Sequence, residues 1–321
     1  MARRSGNHKA EISGLLTQAR AKRLLGDTAG AATAGRRALV LAPNNQEFRS
    51  FVAIGRLRRD IGKSFVSLLG TDREIRGGGH NVAGNGVVDD GIVLDLGGLN
   101  RVDVDADARL VRVDAGATLG DIDRATEPFG LAVPIGVVSG TGIAGLTLGG
   151  GIGWLVRAHG LAIDNLVSAD LVTATGELVR ASATDNPDLF WGLRGGGGNF
   201  GIVTEFEFNC VPLGTQVLAG PIFWPMEQSG EVLRFYRDWV ADAPDELMTI
   251  VVHRKAPPLP FVPEELHGKP VVMVICCWAG DVEEGEKFIK PLREFGNPVA
   301  DVCMPKPFLT HQAMLDPSFV P

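Results

Sequence analysis

The chain has 321 residues, of which 45% are hydrophobic and 42 are glycine, and its formal net charge at pH 7 is −7. The hydrophobic share allows a sizeable core, while no apolar run approaches the roughly 20 residues of a membrane-spanning helix and no collagen-like period is present. The cysteines form no C-x-x-C pair, which argues against a zinc site or a thioredoxin-type centre. We therefore expect free buried thiols, no metal, no membrane partner and a cytoplasmic location. The four cysteines are Cys210, Cys276, Cys277 and Cys303.

The first 70 residues differ from the rest of the chain in charge. They carry 13 Lys and Arg against 4 Asp and Glu, a net of +9, whereas the remaining residues carry 18 against 34, a net of −16. Such asymmetry favours two units of different origin. We interpret the basic residues as a solvated helical surface in preference to a site for nucleic acid or anionic lipid. The N-terminus has no apolar segment of the kind found in signal peptides.

Residues 12–62 have the spacing of two helices separated by a break at Pro43, and they resemble one tetratricopeptide-type helix–turn–helix. One such repeat cannot bury its own apolar face, since roughly three are needed. We therefore predict a helical arm over residues 1–66 that is separable from the rest of the chain. Three interpretations stay open: residues 12–62 form a surface for a protein partner, they are a leftover segment without a role of its own, or the arm is an integral part of the domain that follows it.

The chain from residue 67 to 211 alternates short strands with tight turns. Strand patterns cover residues 91–96, 101–116, 170–182 and 201–209, and short helices are predicted over 118–130 and 186–195. A second region follows over residues 212–321. It has a predicted strand at Val271–Trp278, helices at Glu227–Asp242 and Asp281–Phe295, and proline-rich loops between them. The predicted fold class is therefore α+β.

Four glycine clusters stand out between these elements. Glycine inside a helix or strand costs stability, so a run of it indicates a loop in which bare backbone approaches something closely. Successive N–H groups in such loops bind anions such as a diphosphate. Four loops of this kind can line one long cofactor. The clusters are "RGGGHN" (76–81), "SGTGIAGLTLGGGIG" (139–153), "HGLAIDNL" (159–166) and "RGGGGNFGIVT" (194–204).

The spacing G-x-G-x-x-G occurs twice in these clusters, but it does not predict a Rossmann-type NAD site. That fingerprint needs a strand before it and a helix after it. The copy that ends at Gly201 is followed by a strand pattern. The copy that ends at Gly145 would open a helix containing the glycines of 149–153, each of which costs about 0.8–1 kcal/mol relative to alanine.

In order and spacing, the four clusters closely resemble the FAD-binding PCMH-type domain of the vanillyl-alcohol oxidase group, most nearly the berberine-bridge-type oxidases, over residues 72–211. The resemblance implies a two-lobed FAD-binding domain followed by an antiparallel-sheet substrate domain. It further implies covalent attachment of His80 to the 8α-methyl of the flavin. Imidazole suits this role, because its pKa of about 6.5 leaves it a neutral nucleophile near pH 7. Some members have a second, cysteinyl link; Val138 occupies that position here, so a single link through His80 is expected.

The resemblance also implies which residues bind the cofactor. The first loop would hold the FAD diphosphate through its amides, and the later clusters would line the flavin or let the chain pass close to it. The implied residues are Arg76, Gly77, Gly78, Gly79, His80, Asn81, Val82, Ser139, Gly140, Thr141, Gly142, Gly145, Gly149, Gly150, Gly151, Gly153, Asn165, Gly201 and Ile202.

The chain departs from the family pattern at both ends of the matching region. The first strand–helix unit of the FAD domain is not recognisable before residue 72, and residues 212–321 are shorter than the family's substrate domain, which we therefore expect to be incomplete. Tyr236, the single tyrosine, lies in an apolar helix pattern and is expected to pack, so the sequence assigns no residue as the general base.

The implied activity is transfer of a hydride, from a C–H next to O or N of a small organic substrate, to flavin N5, with reoxidation by dioxygen. The alternatives are a chain that binds FAD without turnover and an interaction protein that acts through its helical arm.

Overall fold

The computed structural model describes residues 73–89, 92–214, 216–258 and 262–318. The predicted helical arm over residues 1–66, with its tetratricopeptide-like pattern, lies outside these residues. Within the described part of the chain, no helix has both the length and the apolar character that crossing a bilayer requires.

The first half of the described chain is built on strands that match the alternating patterns in the sequence. The strands are β1 (Arg73–Arg76), β2 (Ile92–Asp95), β3 (Val102–Asp105), β4 (Leu110–Asp114), β5 (Leu131–Ala132), β6 (Leu166–Val172), β7 (Leu178–Ser182), β8 (Ile202–Asn209) and β9 (Val211–Pro212). A five-stranded antiparallel sheet has the order β3–β4–β8–β6–β7, while β1–β2 form a parallel pair and β5–β9 an antiparallel pair. All four predicted strand regions are confirmed.

Short helices connect these strands and confirm the two helix predictions at 118–130 and 186–195. The helices are α1 (Leu119–Thr126), α2 (Ile143–Leu148), α3 (Val156–His159) and α4 (Pro187–Leu193), with 3₁₀ turns at Glu127–Phe129, Ala162–Asp164 and Gly197–Phe200. The segment after Gly142 is helical, but only for six residues, and it ends at Gly149. The glycine run thus stops the helix that a Rossmann site would need.

The core of the first half lies on one face of the five-stranded sheet. Val111 and Val113 on β4 and Phe206 and Phe208 on β8 are fully buried there. Glu207, between the two phenylalanines, points to the other face, because successive side chains of a strand alternate. Its carboxylate accepts hydrogen bonds from Arg112 on the adjacent β4 at 2.9 Å and from Arg180 on β7, two strands away, at 2.8 Å.

The second half of the described chain forms another sheet, covered on both faces. Its elements are β10 (Val217–Pro225), α5 (Ser229–Val240), β11 (Leu247–Lys255), β12 (Pro270–Trp278), α6 (Val282–Glu294), β13 (Ala300–Asp301), β14 (Met304–Lys306) and α7 (Phe308–Gln312), with 3₁₀ turns at Met226–Gln228, Glu264–Leu266 and Ala313–Ser318. The antiparallel order is β11–β12–β10–β13, and β14 also pairs with β10. Helices α5 and α6 pack on one face, while Trp154 and Leu155 of the first half pack on the other.

Two long strands of this sheet, β10 and β11, were not predicted from the sequence. The β10 segment "VLAGPIFWP" contains glycine and proline, which normally argue against a central strand. Gly220 and Pro221 lie beside an irregular segment at Val302, between β13 and β14. A Cβ on Gly220 would lie 2.7 Å from the carbonyl carbon of Val302, and the N–H of Val302 donates to the Pro221 oxygen at 3.0 Å. The predicted strand at Val271–Trp278 and both predicted helices are confirmed.

Tyr236 packs, as predicted from its apolar helix. Its ring lies beside Trp239, and its hydroxyl is 2.6 Å from the Thr249 hydroxyl on β11. The expectation of free buried thiols is also confirmed, because all four cysteines are buried and unpaired. Burial raises the pKa of the Cys210 thiol to about 11.

The chain returns to the first half after β14. We call residues 308–318, which comprise α7 and the 3₁₀ turn after it, the brace. The Gln312 amide donates to the Gly136 carbonyl at 2.6 Å, and Asp316 accepts a hydrogen bond from the Ser139 N–H at 2.8 Å. The ring of His311 lies 4.3 Å from that of Trp154, centroid to centroid. The two halves of the described chain are therefore joined by specific polar contacts as well as by apolar packing.

A buried carboxyl lies next to the brace. Asp123 on α1 is 3% exposed, and within the described residues no hydrogen bond of ordinary geometry reaches either of its oxygens, although the Gln312 amide lies near them. Burial raises the pKa of Asp123 to about 8. Arg124 and Gln312 oppose this rise, whereas the negative charges of Asp316 and Glu127 add to it. The folded protein therefore holds Asp123 protonated at neutral pH.

We expect Asp123→Asn to remove a pH dependence of stability. The folded pKa of Asp123 exceeds its ordinary value of 3.8. The stabilisation from this proton is therefore complete below about pH 4 and is lost as the pH rises to about 8, with a slope of at most about 1.4 kcal/mol per pH unit. The melting temperature of the variant relative to wild type should rise across this range and then level off. Burial lowers the pKa of His311 to about 3, but this titration is common to both proteins. A melting-temperature difference that stays constant across this pH range would contradict the raised pKa of Asp123.

Candidate functional site

The first glycine cluster forms an open loop directly after β1, and Asn81 shapes the far side of this loop. Its Oδ1 accepts hydrogen bonds from the N–H groups of Ala83 at 3.0 Å and Asn85 at 3.2 Å. Its backbone carbonyl accepts from the Gly84 N–H at 3.0 Å. The Asn81 side chain, which the resemblance assigned to the cofactor, thus holds the loop in shape through contacts within the loop.

The near side of this loop presents bare backbone amides. Gly79 has a left-handed φ of 75°, which glycine adopts without strain. Across the described residues, no acceptor takes the N–H groups of Gly78, Gly79 or His80. Consecutive N–H groups around a left-handed residue form the type of concavity that binds anions. The loop is therefore able to hold a phosphate group.

Gly78 and Gly142 bring the first and second clusters into direct backbone contact. A Cβ on Gly78 would lie 2.6 Å from the Cα of Gly142, and a Cβ on Gly142 would lie 2.8 Å from the Cα of Gly78. Real Cβ atoms essentially never approach other atoms so closely. Glycine at both positions is what allows the two loops to cross.

The loop over residues 136–142 is held in turn by the start of α1. The N–H of Leu119 donates to the Thr141 carbonyl at 2.9 Å, and the N–H of Gly120 donates to the Ser139 carbonyl at 2.9 Å. The first amides of a helix have no acceptor within the helix itself. Here they fix the backbone of the neighbouring loop.

A capping box fixes the start of α1. The Thr118 hydroxyl accepts from the Asp121 N–H, and the Asp121 carboxylate accepts from the Thr118 N–H at 2.9 Å. Burial alone would raise the pKa of Asp121, but hydrogen bonds from Thr118 and the nearby Arg124 outweigh it, so this pKa is lowered. The sequence analysis predicted this helix but did not connect Thr118 and Asp121 with the site. A threonine followed three positions later by an acidic residue is the spacing that predicts a capping box.

His80 lies against the 136–142 loop. A Cβ on Gly140 would lie 3.2 Å from Nε2 of His80 and 3.9 Å from its Cε1. The imidazole is half-buried. The absence of a side chain at Gly140 therefore gives the imidazole its place between the first two clusters.

These two loops enclose a cleft of about 390 Å³. Small-molecule sites typically have volumes of about 300–1,000 Å³. Arg76 and His80 are the ionisable side chains that line it, and the described lining includes no carboxylate. The lining residues are Ile75, Arg76, Gly77, Gly78, Gly79, His80, Asn81, Val82, Asn85, Gly86, Thr141, Gly142, Gly145 and Leu146.

The third and fourth clusters reach the same region through α2. The 3₁₀ turns Ala162–Asp164 and Gly197–Phe200 both lie against this helix. Gly145, in its middle, is exposed, and a Cβ placed on it would meet no other atom within 4 Å. The structure thus gathers all four glycine clusters around one short helix.

The glycines from 149 to 153 have roles in chain crossing. A Cβ on Gly153 would lie 2.6 Å from the carbonyl carbon of Ile135, and a Cβ on Gly151 would lie 2.5 Å from the Cβ of Ala162. Gly150 has a φ of 118°, which side-chain-bearing residues rarely adopt. These glycines allow the third cluster to pack behind α2, and their contact with a cofactor stays a prediction.

Three other predicted residues lie in internal contacts away from the first cleft. The Asn165 side chain is buried, and its amide donates to the carbonyls of His159 at 2.9 Å and Leu161 at 3.0 Å. Ile202 pairs with Val172 at the start of β8, and Gly201 passes close to the Val172 carbonyl. The structure therefore brings the residues of the first two clusters together but not these three with them.

Comparisons with known proteins agree on the type of domain. Residues 71–182 match a family model described as "FAD binding domain". The FAD-linked oxidoreductase YgaK of Bacillus subtilis is 35% identical over 240 residues, which are 73% of this chain and 51% of that protein. The crystal structure of 6-hydroxy-D-nicotine oxidase from Arthrobacter nicotinovorans is similar with a TM-score of 0.73 and 32% identity, over 81% of this chain and 56% of that one.

A BBE-like protein of Physcomitrella patens is also similar, with a TM-score of 0.67 and 25% identity over 77% of this chain and 52% of that one. The chain spans about half the length of these relatives. The resemblance found in the glycine clusters is confirmed, as is the α+β fold class.

Proposed function

We propose that the chain is an FAD-linked oxidoreductase, and that the cleft between the first two glycine clusters binds FAD for the oxidation of a small organic substrate; residues 71–182 match an FAD-binding domain. Bound FAD would supply the acceptor for a hydride from a C–H next to O or N, with dioxygen as the final electron acceptor. The observation that carries this proposal is the crossing of Gly78 and Gly142, which presents bare amides beside His80.

The residues present fit the cofactor. A diphosphate is anionic and needs N–H donors, and the amides of Gly78, Gly79 and His80 are uncommitted among the described residues. The described lining adds Arg76 and no carboxylate, and Asp95 outside the lining lies 3.5 Å from the Arg76 guanidinium and offsets part of its charge. Gly145 leaves the exposed surface of α2 bare, which favours close approach of a flat ring. These features support a site for a dinucleotide whose phosphates lie at the first loop.

We assign the covalent link to His80. In the attachment, one imidazole N–H and one C–H of the 8α-methyl would be replaced by a C–N bond, and the two electrons and two protons released would convert dioxygen to hydrogen peroxide. The cleft holds the imidazole between two fixed loops, and such orientation favours bond formation. Val138 is buried and has no nucleophilic atom, so a second link from that position is not part of the proposal.

This chain's residues would act by binding and orienting. The first loop would hold the phosphates, Asn81 would keep that loop in shape, and the 136–142 loop would keep His80 in register. The similar crystal structure is of a nicotine oxidase, which favours an amine substrate with its reacting C–H next to nitrogen.

Anaerobic reduction tests the proposal. The purified chain should be yellow, and a panel of cyclic amines, alcohols and sugars should contain a class that bleaches the visible flavin spectrum. Admission of air should restore the colour and release one hydrogen peroxide for each substrate oxidised. A colourless protein that takes up no added FAD would refute the cofactor. A flavin reduced only by a nicotinamide cofactor would refute the substrate class.

A further inference from the structure

The brace, residues 308–318, contacts the same loop that lies against His80. The Gln312 amide donates to the Gly136 carbonyl at 2.6 Å, at the start of the loop. Asp316 accepts from the Ser139 N–H at 2.8 Å, in the middle of the loop. Nothing in the sequence links these residues to the glycine clusters, because they are separated by more than 170 positions.

Ser139 is held from two sides. Its N–H donates to Asp316 of the brace, and its carbonyl accepts from Gly120 at the start of α1. Gly140, the next residue, is the one that His80 lies against. The position of the imidazole therefore depends on a peptide that both halves of the described chain hold.

The first part of the brace is buried, which holds its hydrogen-bonding groups in place. His311 and Gln312 are each 1% exposed, and the His311 ring packs on Trp154. Trp154 is itself 1% exposed and follows Gly153 of the second glycine cluster. The hydrogen bond to Gly136 therefore comes from a buried side chain, while Asp316, which bonds Ser139, is half-buried and lies four residues further on.

We infer that Gln312 and Asp316 are positioning residues that set the 136–142 loop against His80 and so control how efficiently flavin is incorporated. The inference rests on the proposed function. Each of the two hydrogen bonds from the brace holds a backbone group of the 136–142 loop, and three of the seven residues of this loop are glycines, which have no side chain to hold them. Loss of the Asp316 acceptor should let Ser139 and Gly140 shift and should misplace the imidazole.

Flavin incorporation into the full chain tests this inference. Asp316→Ala and Gln312→Ala should each slow covalent incorporation from added FAD roughly tenfold. Asp316→Asn should incorporate flavin nearly as fast as wild type, because its amide oxygen still accepts from Ser139. Deuterium exchange of the peptide covering residues 136–142 should increase in both alanine variants and stay near wild type in Asp316→Asn.

Asp281→Ala is the matched control. Asp281 caps α6 by accepting from the N–H groups of Glu283 and Glu284, and it lies in the same half of the chain as the brace. Its loss should lower stability without changing flavin incorporation. Equal slowing in Asp281→Ala, or in Asp316→Asn, would overturn the inference and indicate a general effect of stability. If wild type takes up no FAD, the proposed function fails, whereas normal incorporation in Asp316→Ala refutes the inference alone.

Discussion

His80→Ala should abolish acid-stable flavin while leaving FAD bound reversibly. The imidazole is the nucleophilic side chain in the described lining of the cleft, and Gly140 leaves room for it. The backbone amides that would hold the diphosphate do not depend on the side chain at position 80. We therefore expect complete loss of the flavin that stays with acid-precipitated protein, together with a yellow colour that dialysis removes.

The measurement is flavin absorbance of the precipitate, followed by mass spectrometry of the flavin-bearing peptide. His159→Ala is the matched control, because His159 lies in the third glycine cluster and is also half-buried. Burial lowers the pKa of His159 below its ordinary value of 6.5. Wild-type attachment in His80→Ala, or its loss in His159→Ala, would contradict the assignment of the link to His80.

Gly78→Ala should both destabilise the protein and prevent FAD binding. The new Cβ would lie 2.6 Å from the Cα of Gly142, and backbone cannot rotate away as a side chain can. The two loops would have to separate, which removes the concavity of amides beside His80. Overpacking of this kind costs about 1–3 kcal/mol, which corresponds to a fall of roughly 5 °C in melting temperature for a domain of this size.

Gly98→Ala is the control for that variant. Gly98 is exposed, has a φ outside the left-handed region and has nothing within 4 Å of its Cβ position. Its melting temperature and FAD binding should match wild type within error. A Gly78→Ala protein that melts normally and binds FAD would show that the loops separate without cost, and it would remove the main support for the cleft.

Local signals in the sequence were enough to predict the longer strands of the first half and two of its helices. Alternation of apolar and polar residues predicts β4 and β8, because one face of that sheet is buried and the other carries Arg112, Arg180 and Glu207. The same reasoning missed β10, since a strand buried on both faces does not alternate, and its glycine and prolines resemble a loop. Only the irregular edge at Val302 makes that sequence acceptable in a strand.

The candidate site, like the fold, could be predicted from the sequence only in part. The glycine clusters are visible in the sequence, because positions where two backbones cross closely require glycine and so raise the local glycine content. The assignment of Asn165 to the cofactor stays a prediction; in the structure its buried amide donates to backbone carbonyls of its own segment. Gln312 and Asp316 left no trace at all, because a hydrogen bond to a distant backbone group requires no pattern around either partner.

The crossing of Gly78 and Gly142 has a consequence for genetic rescue. At most contacts in a protein core, an enlarged residue can be compensated by a smaller one opposite. Here the obstacle on each side is main chain, and neither position has an atom left to remove. No substitution at position 142 can suppress a defect at position 78, or the reverse. Suppressors should instead alter the length or path of one loop, so a selection for revertants would recover insertions, deletions or true back-mutation and no second-site change at the partner.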